Sequence, residues 1–489
     1  MAKNDKHQSQ IGWRTTKRER FSYFLGEIGR ICEANVFIMF MSVFLIFQGI
    51  DLAAVAGVML AVKIIDAFDD VVFGYFVDKW KVTEWKAFKK ITGEGKYLPW
   101  FRLTFFLFPV FTIIFFLMPI SLPMQGKLLW FAVLYLLYDL SYTLVEVPMN
   151  SLMVTLTDNL DERNFIIQTK TILGGAIVLP ISIIWLALVS EYVGIPIKTV
   201  AIASSFIFFM LMLPLTRGVR EHNIILANID EKEAGHYSFK DMFNAVKTNK
   251  YLLILLISNV LINGLATGSA VGLFASYYLF GSSLILIIPI GISFVPVIIA
   301  QAQTAKLTQK FGKMRVILTT GMIGALIYSM IFFAGPNIIF ASALLVLQAL
   351  PGNVSNVAKG FILPDTIEYA RYKTGKNCSG ISFALNSFIT KLSASLSASL
   401  GLFLLGLSSW VNITATDFAD LKAQGIVQPQ SALNVLWIVF ALVRAIGTLL
   451  GVAVMFFYTL KDKDVELMTK CNAGEITRAE CTVQLSRQY

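Results

Sequence analysis

Charge is what this chain has least of. Only 15% of its 489 residues are Asp, Glu, Lys or Arg, where a soluble domain carries about 25%. Hydrophobic residues make up 56%, more than a soluble surface can hide. Histidine is scarce too. His7, His222 and His236 all stand outside apolar runs, so no intramembrane histidine relay is expected. The four cysteines, Cys32, Cys378, Cys471 and Cys481, form no C-x-x-C pair and no zinc-ligand spacing. No nucleophile–base pair stands out, so neither an enzyme nor a cofactor is expected. The net charge of +10 invites a nucleic-acid partner. Its basic residues, however, sit in short loops between apolar runs, which argues against one. Residues 1–20 are basic but lead into a run with no small-residue cleavage pattern, so the first run reads as a retained span.

What is present is apolar sequence in long blocks. Twelve runs fall at about 22–47, 53–78, 99–122, 127–155, 166–190, 196–216, 251–279, 283–306, 314–334, 337–363, 379–408 and 432–460. A spanning helix needs roughly 20 apolar residues. The expectation is an all-α polytopic membrane protein with twelve transmembrane helices in two six-helix halves. The pieces are an N-tail 1–20, a first half 21–216, a central loop 217–250, a second half 251–460 and a C-tail 461–489. Within the central loop, Phe239–Lys247 has an amphipathic pattern suited to the membrane surface. Lysine and arginine crowd the N-tail, the loop after run two and the central loop, whereas the opposite loops carry only Lys127, Lys198 and Lys422. That bias places both termini and the central loop on the cytoplasmic side of a cell (inner) membrane. The expected partners are membrane lipid, a small-molecule substrate and a coupling cation.

An ionisable side chain mid-span costs at least about 2.5–3.5 kcal/mol, so each one calls for a reason. Run two carries Asp66, Asp69 and Asp70 at helical spacing, with Lys63 one turn before Asp66. Close carboxylates repel, so such a cluster can hold a proton or a hard cation. Na⁺ at Asp66 and Asp70 is one possibility, and a static salt-bridge cluster with Lys63 is the other. In run four, Tyr142, Thr143 and Glu146 share one side. Glu146 can accept hydrogen bonds from hydroxyls, and Thr143 can lend an oxygen to a cation. Asp139, one turn earlier, receives no role. Run one carries Glu27, Arg30 and Glu33, which could pair internally at i,i+3. Lys170 in run five could snorkel to the interface. Run eleven holds Lys391 about two turns inside, behind Asn386 and Ser387, and the run-two carboxylates are its expected partners. Arg444 in run twelve is interior and receives no role.

Gly74-Tyr-Phe-Val-Asp78-Lys79, closing run two before a basic loop, resembles the G-x-x-x-D-[RK] loop motif of the major facilitator superfamily. Gly74 would permit close packing there, and Asp78 and Lys79 would serve gating or structure. Four further segments narrow the resemblance. They are Asp66-Ala-Phe-Asp-Asp70, Gly95-Lys-Tyr-Leu-Pro-Trp100, Tyr142-Thr-Leu-Val-Glu-Val-Pro148, and Leu363-Pro-Asp-Thr-Ile-Glu-Tyr-Ala-Arg-Tyr-Lys-Thr-Gly375 followed by Lys391. Together they resemble the glycoside–pentoside–hexuronide:cation symporters, the melibiose permease branch. The resemblance implies cation binding by Asp66, Asp69, Asp70 and Thr143. It implies substrate contacts from Tyr142, Glu146, Asn150, Lys170, Arg30, Glu33, Ser387 and Lys391, with Lys63 and Asp365 in gating or structural places.

The departures are as informative. Asp69 stands where Asn is frequent, Glu146 is one methylene longer than the usual Asp, and Asn150 replaces an aromatic residue. Ile31 occupies the place of an acidic residue in helix one. Melibiose-type recognition is therefore not expected. The resemblance implies cation-coupled symport (Na⁺, Li⁺ or H⁺) of a glycoside or other sugar by alternating access. The alternative is cation-coupled symport of a lysolipid or another amphiphile.

Overall fold

A computed structural model describes residues 13–79, 82–84, 92–157, 159–222, 247, 249–375 and 379–487. These residues are overwhelmingly helical, and the only β pairing among them is an isolated bridge between Gln48 and Thr414. In lipid every backbone polar group must be satisfied within the segment, and the helix does this for long apolar runs. Among the described residues, ten helical spans are long and apolar enough to cross a membrane. Run two is also helical, over Leu52–Lys79.

The chain divides into two compact units, Met1–His236 with Asn412–Val427, and Tyr237–Val411 with Gln428–Tyr489. The first unit contains α1 (Lys17–Phe47), α2 (Leu52–Lys79), α3 (Leu98–Thr104), α4 (Leu107–Phe116), α5 (Met124–Leu156), α6 (Leu160–Val189) and α7 (Ile197–Gly218). Run three, expected as one helix, is thus divided between α3 and α4. The start of α1 is closed by a capping box, in which the Thr16 hydroxyl accepts from the Glu19 amide and Glu19 accepts from the Thr16 amide. Ahead of it, residues 14–20 are pinned onto Glu162. The amides of Arg14 and Thr15 donate to its carboxylate at 2.9 and 3.1 Å. The hydroxyls of Thr15 and Thr157 and the Arg20 guanidinium join them. Burial pushes the Glu162 carboxyl up, but these hydrogen bonds outweigh it and hold the group below its ordinary range.

Gly26 and Gly29 let α1 lie directly against α7. A Cβ at Gly29 would stand 2.7 Å from the Phe208 carbonyl oxygen. Between α1, α4 and α5, the rings of Phe37, Phe115, Phe116 and Tyr138 pack together. The Gly95–Trp100 motif acquires a local meaning here. Glu221 Oε1 accepts from the amides of Lys96, Tyr97 and Leu98 at 3.0, 2.9 and 2.7 Å. A carboxylate so placed satisfies the orphan donors at the start of α3. Gly95 has φ +123°, and a Cβ there would meet Glu221 Oε1 at 2.5 Å. Glycine is therefore required at this position.

The second unit contains α8 (Lys250–Gly264), α9 (Gly268–Phe280), α10 (Ile287–Phe311), α11 (Lys313–Ala334), α12 (Ile338–Thr374) and α13 (Ser379–Gly406). After the loop come α15 (Gln430–Trp437) and α16 (Val443–Met455), then α17 (Asp462–Asn472) and α18 (Arg478–Gln484). Run seven, expected as one span, is broken at Leu265–Thr267 into α8 and α9. Run twelve is interrupted between α15 and α16 by a π-helical segment, Ile438–Leu442. The Val439 carbonyl accepts from the Thr267 hydroxyl at 2.6 Å. Gly447 and Gly451 of α16 press on α8, where a Cβ would lie 2.4 Å from Leu265 Cβ and 2.3 Å from Ile262 Cγ1. The C-tail forms α17 and α18, with Val465 and Met468 buried and Asn472 donating to Glu368 at 2.7 Å.

Between runs eleven and twelve, residues 412–427, including α14 (Phe418–Gln424), pack with the first unit. Ala415 donates to the Phe47 carbonyl at 3.0 Å, and Ile197 donates to the Thr416 carbonyl at 3.0 Å. The neck of the loop is zipped by one side chain of the second unit. Val411 N–H donates to Gln428 Oε1 at 2.8 Å, and Gln428 Nε2 donates to the Val411 carbonyl at 3.0 Å.

Candidate functional site: two charged clusters in the first unit

The first cluster is centred on Arg30 of α1, which is 5% exposed. One turn earlier on the same helix, Glu27 receives two of its donors, Nε at 3.1 Å and a terminal nitrogen at 2.9 Å. This is the expected i,i+3 pairing of run one. The other terminal nitrogen reaches α5, donating to the Tyr142 hydroxyl at 2.7 Å and Glu146 Oε1 at 3.2 Å. Tyr142 donates onward to Glu146 at 2.9 Å. From α6, Lys170 lies 3.3 Å from Glu27 and donates to Asn150 at 3.1 Å. Two cations face two carboxylates, so the cluster is neutral as a whole. Its Arg30 and Glu27 side chains are almost fully buried, whereas that of Glu146 is 23% exposed and forms the accessible end. Planar guanidinium, carboxylate, phenol and amide groups on three helices are suited to hydrogen-bonding a polyhydroxylated ligand.

Glu33 does not join this cluster. It is 0% exposed, and neither carboxylate oxygen has a hydrogen-bond partner among the described residues. The hydroxyls it faces are Ser205 of α7 and Thr112 of α4. Thr112 spends its proton on the Phe108 carbonyl at 3.1 Å. Glu33, expected as a substrate contact, is enclosed in this structure. Its i,i+3 spacing from Arg30 matches that of Glu27, and the packing of α4 and α7 around it sets it apart.

The second cluster lies on α2 and α5. Lys63 Nζ stands 3.1 Å from Asp66 and 2.7 Å from Asp139, over the Tyr135 ring at 5.4 Å. The i,i+3 pair with Asp66 follows from the sequence, but the bridge to Asp139 does not. Asp139 thereby gains a partner that sequence reasoning did not give it. Thr143 is 1% exposed, one turn from Asp139 on the same helix. The side chains of Asp69, Asp70, Gly74, Asp78 and Lys79 lie outside the described ones, as does most of the amphipathic Phe239–Lys247 stretch.

The remaining expected residues are in the second unit. Asp365 of α12 accepts from Lys313 with both oxygens at 2.7 Å. Lys391 is half-buried and Ser387 exposed on α13. Among the described residues no group of three or more His, Cys, Asp or Glu is arranged to hold a metal ion.

Residues 22–462 match the family model described as MFS/sugar transport protein. The isoprimeverose transporter of Lactiplantibacillus pentosus is 24% identical, over 92% of this chain and 90% of its own. The glucuronide carrier protein homolog of Escherichia coli (strain K12) is 23% identical, over 93% of this chain and 94% of its own. Among solved structures, that of the nucleoside transporter NupG superposes with a TM-score of 0.59 at 13% identity, covering 90% of this chain and 100% of that one. That likeness is one of fold.

Proposed function

The chain belongs to the MFS/sugar transport protein family, and from that premise we propose that it is a secondary active transporter coupling a cation gradient to uptake of a sugar or glycoside by alternating access. The observation that carries this reading is the neutral cluster of Arg30, Glu27, Tyr142, Glu146 and Lys170, with Glu146 at its accessible end. A sugar offers hydroxyls that can both donate and accept, and this cluster offers both kinds of partner. Arg30 is the fixed centre, because its guanidinium cannot lose its proton and it is held from two helices. Glu146 and Tyr142 present the acceptor and the phenol. Lys170 and Asn150 close the side toward α6.

Coupling is assigned to the second cluster. Asp66 and Asp139 stand on different helices with Lys63 between them. A Na⁺, Li⁺ or H⁺ arriving at these carboxylates, together with Asp69, Asp70 and Thr143, would compete with the lysine ammonium. Binding would then change the bond between α2 and α5, the helix that also carries Tyr142 and Glu146. Cation and substrate would stabilise each other by the same factor, typically about 1–3 kcal/mol. Both termini and the central loop are placed on the cytoplasmic side of the cell membrane on the lysine and arginine bias.

Uptake of labelled sugars and glycosides into proteoliposomes, under imposed Na⁺, Li⁺ or H⁺ gradients, tests the reading. Concentrative uptake that collapses with one of these gradients is expected. Uptake indifferent to all three would make the protein a uniporter. Lysolipid uptake that sugars do not inhibit would transfer the function to amphiphile transport.

A further inference from the structure

In the first unit every buried cation of the two clusters faces a carboxylate. The second unit contains the opposite arrangement. A cavity of about 90 Å³ lies among α8, α11, α12 and α16. Lys359 of α12 and Arg444 of α16 both line it, and among the described residues no acidic residue does. Lys359 is 5% exposed. Neither it nor Arg444 makes an ion pair among the described residues. The Arg444 guanidinium lies over the Tyr328 ring at 4.6 Å, which orients it without neutralising it. The rest of the polar lining is neutral, including the side-chain amides of Asn263, Gln348 and Asn356. Asp365, two turns further along α12, is committed to Lys313.

Two positive side chains gathered at one buried cavity repel, and a buried charge without a counter-charge is costly. In membrane-spanning helices such groups pair with one another's opposites or line an ion or substrate path. We propose that this cavity is an anion-binding site of the C-terminal unit, in which Lys359 and Arg444 clamp a carboxylate, a sulfonate or a halide. Its volume falls below the roughly 300–1,000 Å³ of pockets that enclose drug-sized ligands. It therefore takes a free small anion, or the anionic substituent of a larger substrate, and not a whole sugar. The amides supply further donors, and the guanidinium offers the fork geometry that binds an oxyanion through two N–H groups. The inference goes beyond sugar transport and does not depend on it.

The test is calorimetric titration of the full-length protein in detergent with sodium chloride, sodium acetate and sodium methanesulfonate at matched ionic strength. At least one of these anions should bind saturably with one site per chain. Lys359→Met and Arg444→Gln should each weaken it by about tenfold or more, the usual worth of a charge-assisted hydrogen bond. Lys359→Arg should retain binding. Without the anion, Lys359→Met should unfold at a higher temperature than wild type, and added anion should close that gap. This result also demonstrates that the variant folds. Titration curves that are the same for wild type and Lys359→Met would overturn the proposal, as would the absence of binding by all three anions.

The source of the anion is separated by titrating glucuronate against methyl glucoside. If Lys359→Met removes a preference for glucuronate, the site holds a substituent of the substrate. If chloride binding alone depends on Lys359, the site holds a free ion. Either result supports the site. Anion binding that survives while no sugar of either charge is transported would separate this proposal from the sugar-transport reading.

Discussion

Replacing Lys63 by Met should convert the bridge between α2 and α5 into a sodium-dependent bond. The ammonium stands 3.1 Å from Asp66 and 2.7 Å from Asp139. At an effective dielectric of about 20, those separations correspond to gross attractions of roughly 5 and roughly 6 kcal/mol. Much of that is offset by the cost of taking all three charges out of water. What a substitution exposes is the penalty of leaving two carboxylates buried without their cation, about 3–5 kcal/mol when one partner of a buried pair is removed. Lys63→Met should therefore lose about that much stability in choline buffer, read from denaturant unfolding in mixed micelles. Lys63→Arg should lose much less. Methionine vacates the space between the carboxylates, so Na⁺ at a hundred times its dissociation constant should return about 2.7 kcal/mol. If Lys63→Met stays within about 0.5 kcal/mol of wild type, an ordinary value for a surface change, the bridge contributes nothing to stability. If the loss is seen but Na⁺ restores none of it, Asp66 and Asp139 do not form a cation site.

Glu146→Gln removes the accessible carboxylate of the Arg30 cluster and should weaken sugar binding by about tenfold or more, at about 1.5–3 kcal/mol for a charged hydrogen bond. An unchanged calorimetric affinity would remove Glu146 from the substrate site. Glu162 is held below its ordinary carboxylate value of 4.5, so its contribution is complete above about that pH and is lost as the pH falls through the lower native value. Denaturant midpoints recorded from pH 7 to 3 should show a smaller acid loss for Glu162→Gln, and parallel curves would refute this. Gly451→Ala places a methyl group against Ile262 and should cost about 1–3 kcal/mol, whereas Gly272→Ala, with no atom within 4 Å of its added Cβ, should be neutral. Equal unfolding midpoints for the two would show that the α8–α16 contact yields freely. Cysteines introduced in 217–250 should resist impermeant maleimide added outside intact cells, and labelling there would reverse the topology.

The helical class and the twelve apolar runs were legible because lipid imposes them on composition. The Glu27–Arg30 and Lys63–Asp66 pairs were legible because i,i+3 spacing is local. Whatever depends on a second helix was not. Asp139 could be counted but not partnered, since Lys63 reaches it across 76 residues of sequence. Glu33 looked equivalent to Glu27 as a neighbour of Arg30, and only the packing of α4 and α7 separates the two. Glu221 carries no signal of its own, because its role is set by where the Gly95–Trp100 turn aims its amides. Lys359 did carry a signal, that of a lone basic residue in an apolar run with no acid within one turn. The break at Leu265–Thr267 and the fold-back of residues 412–427 follow from tertiary contacts, which periodicity does not encode.

The π-helical segment at Ile438–Leu442 makes the last span sensitive to length in a way that it is not sensitive to composition. A π turn accommodates one residue more than an α turn, and Val443 bonds back to Ile438 accordingly. Deleting any one of these five residues would let the segment close as ordinary α-helix with the helix beyond it still in phase, whereas one further residue inserted there would put that helix out of phase by about 100°. Either Arg444 would swing off Tyr328, or Gly447 and Gly451 would leave Leu265 and Ile262 to larger neighbours. A point substitution there alters one side chain, whereas the gain of a single codon would turn the whole end of the helix like a slipped gear.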